Sequence, residues 1–313
     1  MRVDDSLVEK LRMSAPPKGS LSVVLDALKR GRHEAEDVPD DGEKTVVSLR
    51  LLGVRVDVHC THDPCADPIR EFYSASLVSP HSSSPEVIVW CDTEGSDRYL
   101  FRSRPDRLAG APLAGVSVQT LRSHRHDWTS TLPPVPALGV WPFKDRFAAL
   151  HAAAVRTETG EGVLIAGDRG SGKSTTALLL SKRLGAEVLC DETAFVHCRT
   201  RLVEPFPHAV GVWRDGRKVQ VPITETGVKI GCEPVHVSRL VFLERWTEGA
   251  ADVRRLSRPE SLRVLLPHHR DAGASMGDAM QTLLSLVERS NSWLVRYSKL
   301  DELADLVCEL VAR

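Results

Sequence analysis

The chain has 313 residues, 42% of them hydrophobic and 27% charged, which leaves room for about two domains of a globular protein. With 41 Lys+Arg against 42 Asp+Glu the net charge is −1, so a global electrostatic pull toward nucleic acid or an anionic membrane is excluded. Met1-Arg2-Val3-Asp4-Asp5 lacks a secretory pattern, no apolar stretch nears the ~18 residues of a membrane span, and the seven scattered cysteines suit a reducing cytoplasm better than a disulfide framework.

Residues 1–44 read as a flexible N-terminal segment. Pro16-Pro17-Lys18-Gly19 breaks the chain, 21–28 can form one short amphipathic helix, and 34–43 is an acidic, polar linker. From Thr45 the pattern becomes β-like. The runs 46–52 and 54–58 alternate around Gly53, and 86–91 and 99–102 read as further strands. Residues 45–136 are thus expected to form a small β-rich domain, closed by Pro133, Pro134 and Pro136. Within it, His59-Cys60-Thr61-His62-Asp63-Pro64-Cys65 has the residue types of a zinc site, but its spacing fits no closed four-ligand pattern and no second half is evident. His124-Arg125-His126 reads as surface loop.

A second unit is expected over 137–313. The pattern predicts a helix over 138–150 despite Pro142, a strand over 150–155, a turn at 157–162, a buried strand over 162–166 and a helix over 175–184. Strands follow at 187–190, 193–197, 201–203 and 239–244, then helices at 259–266 and 276–289, a strand at 292–297 and a closing amphipathic helix at 300–311. This is an α/β order.

Between the strand at 162–166 and the helix at 175–184 lies Gly167-Asp168-Arg169-Gly170-Ser171-Gly172-Lys173-Ser174, followed by Thr175. It matches the phosphate-cradling pattern G-x-x-x-x-G-K-[ST] in the strand–loop–helix context that the motif requires. The glycines let backbone N–H groups turn onto a phosphate, and the helix N-terminus adds partial positive charge. Lys173 would reach the β/γ-phosphates of a nucleoside triphosphate, and the Ser174 hydroxyl would ligate Mg²⁺.

Phosphoryl transfer also needs a carboxylate and a further cation. Glu187-Val188-Leu189-Cys190-Asp191-Glu192 follows the loop's helix directly and supplies two acids, either a solvated acidic turn or a functional pair with one toward the phosphates and one toward metal or acceptor. His151, on the strand entering the loop hairpin, is either a core histidine among Ala152, Ala153 and Ala154 or a group that contacts the γ-phosphate or tunes a carboxylate. The basic residues Arg199, Arg201, Arg214, Arg217 and Lys218 are a solvated surface or a phosphate clamp, with Arg214 favoured for the clamp. His268-His269-Arg270 reads as a surface loop that could touch an anionic substrate.

The order His151, hairpin, Gly167–Thr175 loop, then Leu189-Cys190-Asp191-Glu192 resembles the C-terminal kinase domain of HPr kinase/phosphorylase. It is more similar still to the HPr-kinase-like proteins of natural-product biosynthetic clusters, including lasso-peptide precursor kinases, over about residues 138–313. Phe206-Pro207 is similar to that branch as well. The resemblance implies a P-loop fold of the HPr kinase/phosphoenolpyruvate carboxykinase type rather than a Ras or RecA type. It implies ATP and Mg²⁺ as cofactors, Asp191 as catalytic base, Glu192 as the metal-side carboxylate and His151 beside the phosphates. Glu192 departs from the family's usual aspartate, and the glycine-containing signature of the carbon-regulation enzymes is missing, as is any match to their N-terminal domain.

The expected activity is that of an ATP- and Mg²⁺-dependent kinase. Its acceptor alcohol is a serine of a ribosomal peptide precursor or a small-molecule hydroxyl, with no nucleic-acid or membrane partner. The alternatives are an HPr-type regulatory serine kinase and a non-catalytic nucleotide switch or maturation partner. The paired acids argue against the switch. The family favours rings, so the resemblance also allows a homo-oligomer.

Overall fold

The computed structural model describes residues 45–79, 85, 87–93, 98–104, 107–108, 111–112, 119–125, 128, 146–214, 217–245, 251–270 and 274–312. The expected flexible segment 1–44 and the boundary prolines Pro133, Pro134 and Pro136 lie outside the described residues.

The N-terminal elements are β1 (Thr45–Leu51), β2 (Val54–Cys60), α1 (Asp63–Phe72), β3 (Val87–Thr93), β4 (Arg98–Arg104), the short pair β5 (Arg107–Leu108) and β6 (Ala111–Pro112), and β7 (Gln119–His124). Five of them form a sheet in the order β1-β2-β3-β4-β7. β1 and β2 join through Leu52-Gly53, both at positive φ (51° and 77°), a backbone twist that matches the twist of the flanking strands. α1 is the crossover that lets β3 run parallel to β2. Both faces of β2 are covered: Val56 and Val58 lie in the apolar core, while Arg55 and Asp57 form a buried ion pair at 3.2 Å.

The second unit comprises β8 (Phe147–Leu150), β9 (Ala152–Arg156), β10 (Gly162–Gly167), α2 (Lys173–Leu184), β11 (Glu187–Cys190), β12 (Ala194–His197), β13 (Leu202–Glu204), the hairpin of β14 (Val210–Arg214) and β15 (Arg217–Val221), β16 (Lys229–Ile230), β17 (Val235–Arg245), β18 (Asp252–Arg255), α3 (Arg258–Leu265), β19 (His269–Arg270), α4 (Met276–Arg289), β20 (Asn291–Tyr297) and α5 (Leu300–Ala312). Its sheet runs β16-β11-β9-β10-β17-β13-β12-β8-β19, with β20 and β18 branching from β17. The long β17 runs parallel to β10 and to β20 and antiparallel to β13.

Period-two alternation splits the core into two layers. Ala152, Ala154, Leu164, Ala166, Leu240 and Phe242 share one layer with Leu283, Leu286 and Val287 of α4. Ala153, Val155, Val163, Ile165, Val241 and Leu243 share the other with Ala177 and Leu180 of α2 and Leu303 and Val307 of α5. The central strands are apolar on both faces because helices cover both sides of the sheet. Each such Val or Leu contributes roughly 1.5–3 kcal/mol by leaving water.

The end of α1 packs onto this unit. Phe72 stacks on His208 with ring centroids 5.5 Å apart and planes 20° apart, and its carbonyl accepts the Ala209 N–H at 2.8 Å. Ser76 Oγ donates to the Pro207 carbonyl at 3.1 Å.

Two expectations are corrected. The helix predicted over 138–150 does not extend to its end, because Phe147–Leu150 is strand β8, paired with β12 on one side and β19 on the other. All four of its residues are buried, and a short continuous apolar run does not distinguish buried strand from buried helix by periodicity. The single strand predicted over 150–155 is two strands. The chain changes partners at His151, where β8 ends against β12 and β19 and β9 begins against β10 and β11.

Candidate active site

Strand register brings three groups to one edge of the sheet. Ala152, the residue after His151, pairs with Ala166 of β10, and Ala154 pairs with Cys190 of β11. β10 and β11 both run antiparallel to β9, so their C-terminal ends flank its start. His151, Gly167 and Asp191 therefore gather there, although they lie far apart in the chain.

Gly167 closes β10 where only a hydrogen fits. A Cβ there would stand 2.5 Å from Ser171 Oγ and 2.6 Å from the backbone carbonyl of Leu243. Gly172, at φ 80°, is the N-cap of α2, which has no side-chain cap bond and no acidic residue in its first turn. The first N–H groups of that helix are left for an external acceptor. Asp168, Arg169 and Gly170 are exposed on the loop, Ser171 and Lys173 are buried, Ser174 is half-buried and Thr175 is exposed. The Tyr297 hydroxyl, at the end of β20, donates to the Ser171 carbonyl at 2.9 Å and braces the loop from behind.

Ser171 Oγ and Thr176 Oγ1 are buried without a hydrogen-bond partner among the described residues. The Lys173 ammonium donates to the Gly167 and Asp168 carbonyls at 2.8 and 2.9 Å. Burial pulls its pKa down to about 8, opposed by attraction to Asp191 and Glu192.

We expect Gly167→Ala to lower stability by about 1–3 kcal/mol and to abolish the upward shift in melting temperature produced by ATP and Mg²⁺. Thermal melts with and without the nucleotide check this. A wild-type-sized shift would show that the loop tolerates the added methyl.

The acids lie just past the end of a strand. β11 ends at Cys190, and Asp191 and Glu192 form the tight turn into β12, closed by Thr193 N–H donating to the Asp191 carbonyl at 2.8 Å. Asp191 is 4% exposed, and Glu192 takes a left-handed φ of 65°. A non-glycine residue held there costs about 1–3 kcal/mol and is common where function fixes the backbone. Ser174, Asp191 and Glu192 offer hard oxygen donors of the kind Mg²⁺ takes. His208, buried under Phe72, has Nδ1 2.6 Å from the Ala209 carbonyl and Nε2 3.2 Å from the Asp191 carbonyl, and its one ring proton serves one of them, so the end of α1 packs beside the turn that carries the acids.

His151 sits at the bend between β8 and β9 rather than within a strand. Its backbone N–H donates to the His268 carbonyl at 2.7 Å. Burial, with Lys173 and Arg270 nearby, pushes its pKa down to about 4, so the ring is neutral at neutral pH. Arg270 Nη2 lies 2.5 Å from His151 Nδ1. Arginine only donates, so Nδ1 accepts and the ring proton sits on Nε2. The Glu192 carbonyl lies 3.0 Å from the same nitrogen and would accept from the other tautomer.

Arg270 is a second cation beside Lys173 among the described residues of the site, and the sequence pattern placed it in a surface loop. It arrives because β19 pairs with β8, Arg270 opposite Ala149. His268 comes with it, buried against the loop and held neutral by burial, with Asp168 and Lys173 in electrostatic reach. Of the basic residues considered for the clamp, two have described side chains, and both point elsewhere. Arg199 is exposed at the turn beyond β12, at the far end of that strand from Asp191, and Arg201 donates to Thr282 of α4 at 2.5 Å. The side chains of Arg214, Arg217 and Lys218 lie outside the described residues.

Among solved structures, the chain is similar to the HPr(Ser) kinase/phosphatase from Coxiella burnetii, with 16% identity, a TM-score of 0.33, and coverage of 52% of this chain and 88% of that chain. No protein-family model and no curated protein matches. No helix among the described residues is long and apolar enough to cross a membrane.

Proposed function

We propose that the protein is an ATP- and Mg²⁺-dependent kinase that transfers the γ-phosphate to an alcohol. One observation carries this reading: the buried carboxylate of Asp191 and the ammonium of Lys173 share one sheet edge with an uncapped helix N-terminus. A binder of nucleotide needs the cradle; a buried acid beside it suits a group that must take a proton.

In this reading the loop amides and Lys173 hold the β- and γ-phosphates, with Lys173 released from the Gly167 and Asp168 carbonyls. Ser174 and Glu192 hold Mg²⁺, which would offset the charge on the β- and γ-oxygens. Asp191 removes the acceptor hydroxyl proton as that oxygen bonds to the γ-phosphorus; the bond to the β-phosphate oxygen breaks and ADP leaves. Arg270 takes the charge-stabilising role that the sequence pattern favoured for Arg214, and neutral His151 holds its guanidinium in place. The acceptor is a serine of a ribosomal peptide or a small-molecule hydroxyl.

The test is incubation of the full chain with γ-labelled ATP, Mg²⁺ and a panel of serine peptides and small alcohols. Label should pass to one acceptor class and depend on Mg²⁺. Tight ATP binding with no label transfer to any acceptor would favour the switch reading instead.

A further inference from the structure

The short run Cys60-Thr61-His62-Asp63-Pro64-Cys65 finds its missing half in the N-terminal sheet. Cys60 ends β2, Cys65 lies in the first turn of α1, and Cys91 lies in β3 beside Cys60, its register partner. The three sulfurs lie within 4.8 Å of one another, and Cys65 Sγ is 3.2 Å from Cys91 Sγ. All three residues are at most 1% exposed. Four tetrahedral ligands at Zn–S distances of about 2.3 Å stand about 3.8 Å apart, inside the observed range. A disulfide would join two sulfurs and leave the third buried thiol over.

We propose that Cys60, Cys65 and Cys91 bind a zinc ion, with His62 as the fourth ligand. His62 lies in the loop joining two of the thiols, and its exposed ring is held by the Thr61 and Thr93 hydroxyls at 2.8 and 3.2 Å, so ligation by His62 requires the ring to leave these contacts. The loop itself is already fixed against β3: Thr61 N–H donates to the Cys91 carbonyl at 3.2 Å and Thr61 Oγ1 to Asp92 Oδ1 at 3.0 Å. Binding releases the thiol protons to solvent and involves no electron transfer. The ion ties α1 to β2 and β3, and the far end of α1 carries the Phe72 that stacks on His208. The site is separate from the phosphate loop and does not depend on the kinase reading.

The full chain, purified under reducing conditions, should carry about one zinc per chain by elemental analysis. Exchange into Co²⁺ should give the thiolate-to-cobalt absorption and the intense visible bands of a tetrahedral site. Cys65→Ser and Cys91→Ser should lose both signals, His62→Ala should weaken the metal and alter the visible bands, and Cys232→Ser, at an exposed position outside the cluster, should keep both. The wild-type cobalt spectrum decides the matter even if a cysteine variant fails to fold. A reduced wild-type protein with no zinc and no cobalt bands would overturn the proposal. A Cys65–Cys91 peptide two hydrogens lighter by mass spectrometry would do the same and assign the pair to a disulfide.

Discussion

Asp191→Asn is expected to lower phosphate transfer to the acceptor by about 10²–10⁴-fold, the usual contribution of a positioned general base. The swap keeps shape and polarity at a position that is 4% exposed, so the turn should survive. Its closure rests on backbone atoms, Thr193 N–H to the Asp191 carbonyl, and the His208 contact also reaches that carbonyl rather than the side chain. ATP affinity near pH 7 should stay within about threefold, because the phosphates are held by the loop amides and Lys173. Turnover with the identified acceptor, together with calorimetric ATP binding, separates these effects. An unchanged turnover rate would assign the proton to another group.

Lys173→Met should weaken ATP binding by roughly 10- to 150-fold, since a hydrogen bond to a charged group contributes about 1.5–3 kcal/mol. The wild-type protein should already show part of this loss as pH rises. Its Lys173 titrates at about 8 in the free protein, so the ammonium that meets the phosphates is present below that pH and disappears above it. Bound phosphate favours the charged form, so binding takes up a proton, and Kd should rise by up to about tenfold per pH unit above 8. Asp191 attracts the ammonium, so Asp191→Asn should move this break to lower pH. Isothermal titration from pH 6.5 to 9.5 checks both statements. A flat wild-type profile would mean that Lys173 does not meet the phosphates.

The legible part of the molecule is the part whose chemistry is local. Strands with strong apolar runs, such as those at 187–190 and 292–297, and the amphipathic helices over 276–289 and 300–311 follow from periodicity and match the observed elements within about two residues. Phe147–Leu150 does not, because four buried apolar residues carry no period and the partners that make them a strand come from 194–197 and 269–270. Asp191 and Glu192 are legible as acids between two strands, but the left-handed backbone of Glu192 is not, since nothing local marks it.

The phosphate loop is determined by sequence alone: eight contiguous residues, with Gly167 where a Cβ would strike the Leu243 carbonyl and Gly172 at the uncapped start of α2. The company that loop keeps is a tertiary matter. Arg270 lies 119 residues from the His151 it bonds, and Cys91 lies 26 from Cys65. The first pair meets because β19 lies against β8, and the second because β3 lies against β2 and α1 starts just beyond the end of β2. Strand order and register are set by the burial of whole sheet faces and by crossover connections, not by the residues that end up in contact.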